Sequence, residues 1–306
     1  MAMQESTGHV ISIQEEFLHG AGESLYTKAF RRLRRDKLTV AMLLVLLSLI
    51  IFSFSAPLLE NILDVSYRRT DLSNTFARPD ISDAHILGTD DLGRDELTRL
   101  AYGGQASLRI AFFAAILSLS IGVSLGIITG YYGGIIDDIV IWLITTLNSI
   151  PTLFLLIIVV AFLSPTANAL ILVLGLLGWP STMRLVRGET LGMREREFIV
   201  GARAMGATNL RIMFNHIMPN LLSIVVVTLA IDIGSLLLVE AGLSFLGLGV
   251  QPPEATWGNM LSNSQTFFNK GPHLAVIPGI FISVTVLCMY VIGDGIRDAF
   301  DPQSTR

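Results

Sequence analysis

Long apolar runs alternate with short polar breaks along most of the chain. The runs fall at about 38–59, 106–129, 138–163, 168–187, 218–246 and 274–293. A helix rising about 1.5 Å per residue needs roughly 20 residues to cross a hydrocarbon core of about 30 Å, so each run is long enough. The period-2 alternation of a membrane barrel is absent throughout. The bilayer core offers backbone groups no water, so each run is predicted to be a helix. The fold class that follows is an all-α polytopic membrane protein with six transmembrane helices.

The first 37 residues are polar and charged, too long a prelude for a secretory signal. The run 38–59 is therefore read as a retained span, not a cleaved peptide. Inside the prelude, "ESLYTKAFRRLRRDK" places Leu25, Tyr26, Ala29, Phe30 and Leu33 at helical spacing. That pattern predicts a helix lying on the membrane surface. A plain cationic anchor for the first span is the alternative.

Composition agrees with the pattern. Charged residues make up 15% of the chain, and soluble domains carry about 25%. Mean hydropathy is +0.62. The formal net charge of −4 gives no basis for a nucleic-acid partner. Cys288 is the single cysteine, so no internal disulfide forms, and its apolar surroundings predict a packed thiol. The five histidines have no metal-ligand spacing.

The distribution of charge says more than its sum. Lys28, Arg31, Arg32, Arg34, Arg35 and Lys37 precede the first span. Arg194, Arg196, Arg203 and Arg211 lie between the fourth and fifth, with Arg184 and Arg187 near the boundary. The short loops around Pro165 and Pro252 carry only Lys270. Cations gather on the cytoplasmic side of membrane proteins. Both termini and residues 188–217 are therefore expected in the cytoplasm, and 60–105 and 247–273 outside.

The basic break, "REREFIVGARAMGATNLRIMFNHIMPN" at 194–220, is more than a loop. A helix is predicted over Met193–Met205, with Phe198, Ala202 and Met205 on one face. Gly206 stops it, being free to adopt the left-handed cap conformation. Thr208 or Asn209 caps a second helix, which bends at Pro219 into span five. Small residues at the turn suit close approach by another surface, so the segment is read as a docking site for a cytoplasmic partner.

Other segments carry weaker signals. "GTDDLGRDELTRL" holds Asp90, Asp91, Asp95 and Glu96, but not in the order of a calcium loop. Its acids suit a helix start, with Gly88 and Gly93 shaping the turn. Trp257, after the Pro252–Pro253 pair, suits an interface belt. Asp232 and Glu240 fall within span five, where ionisable groups usually face a cavity or a partner. Asn148 and Pro151 suggest a polar, kinked helix beside a pathway, or a packing kink. "GVSLGIITG" at 122–130 allows close helix packing. The phosphate-cradling G-x-x-x-x-G-K-[ST] loop is absent, as is any nucleophile–base pair.

The basic break resembles the "EAA" loop of ABC importer membrane subunits. That pattern runs Glu-Ala-Ala, three residues, Gly, then about ten residues to Ile-x-Leu-Pro. Ala202, Gly206 and Pro219 match it, whereas Val200, Gly201 and Met218 depart, and Glu197 stands near the missing glutamate. "HILGTDDLGRDELTRLAYGGQASLRIAF", "EAGLSFLGLGVQPPEATWGNML" and "GDGIRDAFDPQ" resemble the "C" permease of di- and oligopeptide importers, in the same order. Tyr290 stands where relatives often have asparagine.

The resemblance implies a type I ABC importer-like transmembrane domain in a bacterial or archaeal plasma membrane. It divides the chain into a cytoplasmic segment 1–37, a first span 38–59, an external scaffold 60–105, a core 106–297 and a cytoplasmic tail 298–306. It implies a non-catalytic subunit without a cofactor of its own, with ATP and Mg held by two separate ATP-binding subunits. A homologous "B" permease and an external substrate-binding protein complete the assembly. Glu197, Gly201, Ala202, Arg203, Gly206 and Pro219 would couple to the ATPases. Asn148, Asp232, Glu240 and Tyr290 are candidates for the translocation path. Nickel or another small solute is the alternative cargo. An ion-gradient-driven secondary transporter would predict inverted repeats with matched broken spans. The two halves show no such repeat, and a membrane-embedded enzyme would need a reactive constellation the chain lacks.

Overall fold

A computed structural model describes residues 25–301, apart from 83, 164, 165 and 263. Residues 1–24 of the expected N-terminal segment and 302–306 of the expected tail lie outside the described residues. Among the described residues the regular structure is helical, with one isolated bridge between Thr89 and Asp95.

The chain begins with α1 (Leu25–Arg35), α2 (Lys37–Phe54) and α3 (Ala56–Leu63). A looped segment leads to α4 (Glu96–Tyr132), followed by α5 (Gly134–Asn148), α6 (Thr152–Phe162) and α7 (Ala167–Arg194). Two short elements come next, α8 (Glu197–Ala204) and α9 (Asn209–Ile212). A π turn, Met213–Ile217, carries α9 into α10 (Met218–Phe245). The last helices are α11 (Trp257–Leu261), α12 (Ser264–Phe267) and α13 (His273–Phe300).

Helices α2, α4, α7 and α13 and the stretch Asn209–Phe245 are each long and apolar enough to cross a bilayer. The expected third span differs. Residues 138–163 form not one helix but the pair α5 and α6, bent by 84°. Pro151 causes the corner: it has no N–H for the Leu147 carbonyl, and its ring blocks the preceding turn. Ile150 N–H takes that carbonyl instead, at 3.3 Å. The sixth span exists only as this bent pair.

The first span also ends early, at Phe54 rather than 59. Pro57, at the start of α3, cannot donate to the Ser53 carbonyl four residues back. Gln105 of α4 supplies the missing donor at 2.8 Å. A proline in one helix thus fixes its contact with another.

Helix α4 is the axis of the bundle. Its 37 residues reach about 55 Å, well beyond the expected 106–129. It packs along its length on α7, and also meets α10 and α2, while α10 packs on α13. The α4–α7 contact rests on Gly122, Gly126 and Gly130. A Cβ there would lie 2.6–2.8 Å from the Cβ atoms of Thr182, Val186 and Thr190. Glycine at every fourth position opens a groove that α7 fills.

At the far end, the turn before α4 is built from its own acids. Asp95 caps α4 by accepting from Thr98 N–H at 2.8 Å. Asp90 accepts from the Leu92 and Arg94 amides at 2.9 Å each, and from the Arg94 guanidinium at 2.7 Å. Gly93 has φ +71°, with the Asp71 carbonyl where a Cβ would sit. Asp90 and Asp95 answer protein donors. Trp257 is a correction: it is buried, not at an interface belt, and donates from Nε1 to the Leu100 carbonyl at 2.8 Å.

Candidate functional site

The segment expected to dock a partner takes shape where α7 overshoots the bundle. The helix continues to Arg194 without the start expected at Met193, so Glu195 and Arg196 form the corner and α8 begins at Glu197. Arg194 ties the corner down, donating to the Gly130 carbonyl at 3.2 Å and pairing with Glu195 at 2.9 Å.

Ile199 and Ala202 are the buried feet of α8. Ile199 joins Ile212, Met213, Ile217, Leu221 and Tyr131 in one cluster. The face expected from Phe198, Ala202 and Met205 is therefore split: Ala202 turns inward, while Phe198 and Met205 are exposed. The i, i+3 pair Ile199–Ala202 decides the orientation, and the sequence reading passed over Ile199. Glu197, Val200 and Arg203 also face outward, and the space beside Gly201 is open.

Gly206 ends α8 with φ +84°. Ala207 N–H donates to the Ala202 carbonyl and Gly206 N–H to the Arg203 carbonyl, both at 3.0 Å. This pair of bonds is the Schellman closure, which requires a left-handed residue at its centre. Thr208 then caps α9 by accepting from Arg211 N–H. Arg203 leans back on the bundle, its guanidinium 5.6 Å from the Tyr131 ring centroid. The Tyr131 hydroxyl donates to Asn209 at 2.9 Å. Pro219 stands just past the π turn. Having no N–H, it leaves the helical register free to widen there.

The four candidate path residues do not form one site. Asp232 of α10 is half-buried and accepts from Thr182 of α7 at 3.2 Å. One turn on, Ser235 meets the Tyr290 hydroxyl of α13 at 2.9 Å, and Tyr290 is partly exposed. Ser235 and Tyr290 thus make a polar contact across the α10–α13 seam, while Asp232 meets α7 through Thr182. Asn148 lies elsewhere, at the α5–α6 corner, where its side-chain amide faces the Arg184 guanidinium at 3.0 and 3.1 Å, an acceptor position that the amide oxygen fills when the group is turned toward it.

Glu240 departs from the expected lining role. It is fully buried inside this chain and accepts from Ser107 at 3.0 Å and Ser244 at 2.7 Å. Ser107 in turn accepts from the Trp257 amide at 3.1 Å. Glu240 therefore fastens α4, α10 and α11 together. Thr182, Ser235 and Arg184 were missed from sequence. Ser235 had a signal, three residues from Asp232 on the same helix face; the other two depend on tertiary placement.

Comparison with known proteins gives this arrangement its family. Residues 122–306 match the family described as binding-protein-dependent transport system inner membrane component. Residues 24–79 match the N-terminal TM domain of oligopeptide transport permease C. The dipeptide transport system permease protein DppC of Alkalihalophilus pseudofirmus is 40% identical over 280 residues, 92% of this chain and 90% of that protein. The oligopeptide transport system permease protein OppC of Escherichia coli K12 is 36% identical over 303 residues, 99% of both chains. Among solved structures, the inward-facing MetNI methionine ABC transporter matches with a TM-score of 0.51 at 21% identity, covering 64% of this chain and 94% of that one. That last likeness shows the fold. The chain belongs to the binding-protein-dependent transport system inner membrane component family, as a multi-pass permease subunit of an importer.

Proposed function

We propose that this permease moves di- or oligopeptides inward across the membrane, as half of a path completed by a homologous permease. Two ATP-binding subunits hold the ATP and Mg, and the chain performs no reaction itself. An external binding protein delivers cargo at the end built from 60–105 and 247–273. Both termini and α8 face the cytoplasm. The relatives named for dipeptide and oligopeptide transport support the cargo.

One observation carries the coupling role. α8 stands on two buried feet, while Phe198, Val200 and Met205 stay exposed beyond the bundle at 45, 50 and 85%. An apolar surface left outside on so short and rigid an element fits a partner groove. Closure of the ATPases would push on α8. The cluster that holds Ile199 with Ile212, Ile217 and Leu221 would pass the push into α10, which carries Asp232.

Gly206→Val tests this. A β-branched residue resists positive φ, so the closure is strained or lost and α8 meets its groove at the wrong angle. The spans are unchanged, so abundance in the membrane is expected to stay normal. Co-purification of the ATPase subunits and peptide uptake should both fall sharply. Full ATPase retention with normal uptake would remove the docking role.

A further inference from the structure

We infer that Arg109 holds the terminal carboxylate of the transported peptide, in a cavity it lines together with Arg68, Tyr102 and Phe113. The inference rests on the proposed peptide cargo.

The site starts from the spacing of α4. Tyr102, Gln105, Ala106, Arg109 and Phe113 recur at i, i+3, i+4, i+7 and i+11, so they share one face. All five line a cavity of about 680 Å³. Small-molecule sites span roughly 300–1,000 Å³. Hydrogen bonds to other elements hold this face in place. The Tyr102 hydroxyl donates to Glu60 of α3, and Gln105 Nε2 to the Ser53 carbonyl, both at 2.8 Å. Arg109 Nη2 donates to Asn168 Oδ1 of α7 at 2.7 Å.

Charge selects the ligand. Arg109 falls within the expected span 106–129, where a cation is costly unless it meets a partner or a cavity. Its hydrogen-bond partner is a neutral amide. Arg68, also on the cavity, lies over the Tyr67 ring at 5.0 Å. Among the described residues no carboxylate forms an ion pair with either guanidinium. Glu254 is the one acid among the described residues that line the cavity, and it is exposed. Two cations against one acid leave a positive charge unanswered. Asn168 occupies one edge of the Arg109 guanidinium, and the planar fork keeps further N–H groups for an anion. Paired N–H groups of this kind match a carboxylate. The neighbouring rings of Tyr102 and Phe113 suit the side chain beside that carboxylate.

Position connects the cavity to transport. Arg68 and Glu254 bring in segments 60–105 and 247–273, the end proposed to receive cargo. The remaining wall includes Ile233 of α10 and Met289 of α13. These are next in the chain to Asp232 and Tyr290, the candidate path residues of the same helices. The cavity therefore extends from the outer segments to the helices that carry the candidate path.

The test is uptake into vesicles by the assembled transporter with its binding protein saturated, comparing trialanine with its carboxy-terminal amide. The binding protein is the same in every assay, so its own preference cancels between variants. Arg109→Gln should reduce the preference for the free acid roughly tenfold, the loss expected for a charge-assisted bond. Arg109→Lys keeps the charge and should retain part of the preference. A preference unchanged in Arg109→Gln overturns the inference while the cargo reading stands. An equal loss of both peptides makes Arg109 structural and also overturns it. Should Arg109→Gln fail to assemble, Asn168→Ala removes only the bond that positions Arg109. It should lower the same preference by less, and an unchanged preference overturns the inference. If the wild type moves neither peptide, the cargo reading falls and this inference falls with it.

Discussion

Two carboxylates on one helix have opposite fates, and their neighbours decide which. Glu240 is enclosed, with a serine hydroxyl on each oxygen. Asp232 has one hydroxyl partner and an open side. From sequence the two looked alike, because depth in a span is legible and the identity of the facing helix is not. Removing Glu240 strands the donors it serves, and a buried unsatisfied group costs about 1–3 kcal/mol. Glu240→Ala is expected to lower the melting temperature of the purified transporter and its abundance, and Glu240→Gln, which keeps an acceptor, to do so less. Asp232→Asn should leave both unchanged and slow uptake of cationic peptides selectively. Thermal melts beside uptake of charged and neutral peptides separate the two. Loss of abundance in Asp232→Asn would make that carboxylate structural.

At the scale of elements, much of the pattern is readable because membrane helices need only length and apolarity. The glycine series 122–130 announced close packing, and the structure supplies its partner, the Thr182, Val186 and Thr190 edge of α7. Gly206 and Thr208 end and begin helices as their chemistry requires. The errors have one local source and one tertiary source. Pro151 turns an expected kink into an 84° corner, and Ile199 rotates α8 away from its expected face. Among the glycines, Gly126 gives the sharpest test. A Cβ there would meet Val186 Cβ at 2.7 Å and the Met183 carbonyl at 2.9 Å, and backbone cannot step aside as a side chain can. Gly126→Leu should push α7 from α4 and lower folded yield several-fold, because overpacking costs about 1–3 kcal/mol or more. Gly192→Leu is the control, since nothing lies within 4 Å of its Cβ position. Equal yields would mean that the seam tolerates separation.

For the whole molecule, the distribution of charge acquires a geometry. Tyr131 at the end of α4 touches Asn209, Gly293 of α13 lies near Val227 of α10, and Arg32 reaches Asp301. These contacts gather α1, α8 and the end of α13 at one end of the bundle. The basic clusters before the first span and around α8 therefore share a side, as the six-span reading requires. At the opposite end, Arg94 pairs with Asp90 and Asp91 and Arg99 with Asp90, so two carboxylates balance the two cations locally. Clustered Lys and Arg resist transfer across the membrane, which supports the proposed placement of the α8 end in the cytoplasm. Two single cysteines test that assignment, because Cys288 is buried. Met205 is 85% exposed on the α8 end and Ile81 is 89% exposed on the other. A membrane-impermeant thiol reagent added to intact cells should label Ile81→Cys and spare Met205→Cys. Inside-out vesicles should label Met205→Cys and spare Ile81→Cys. The reverse pattern would place α8 outside, away from ATP, and the coupling reading would fall with the orientation. Labelling of both from one side would instead break the six-span count, and the α5–α6 corner would then be a re-entrant element that returns to the side it left.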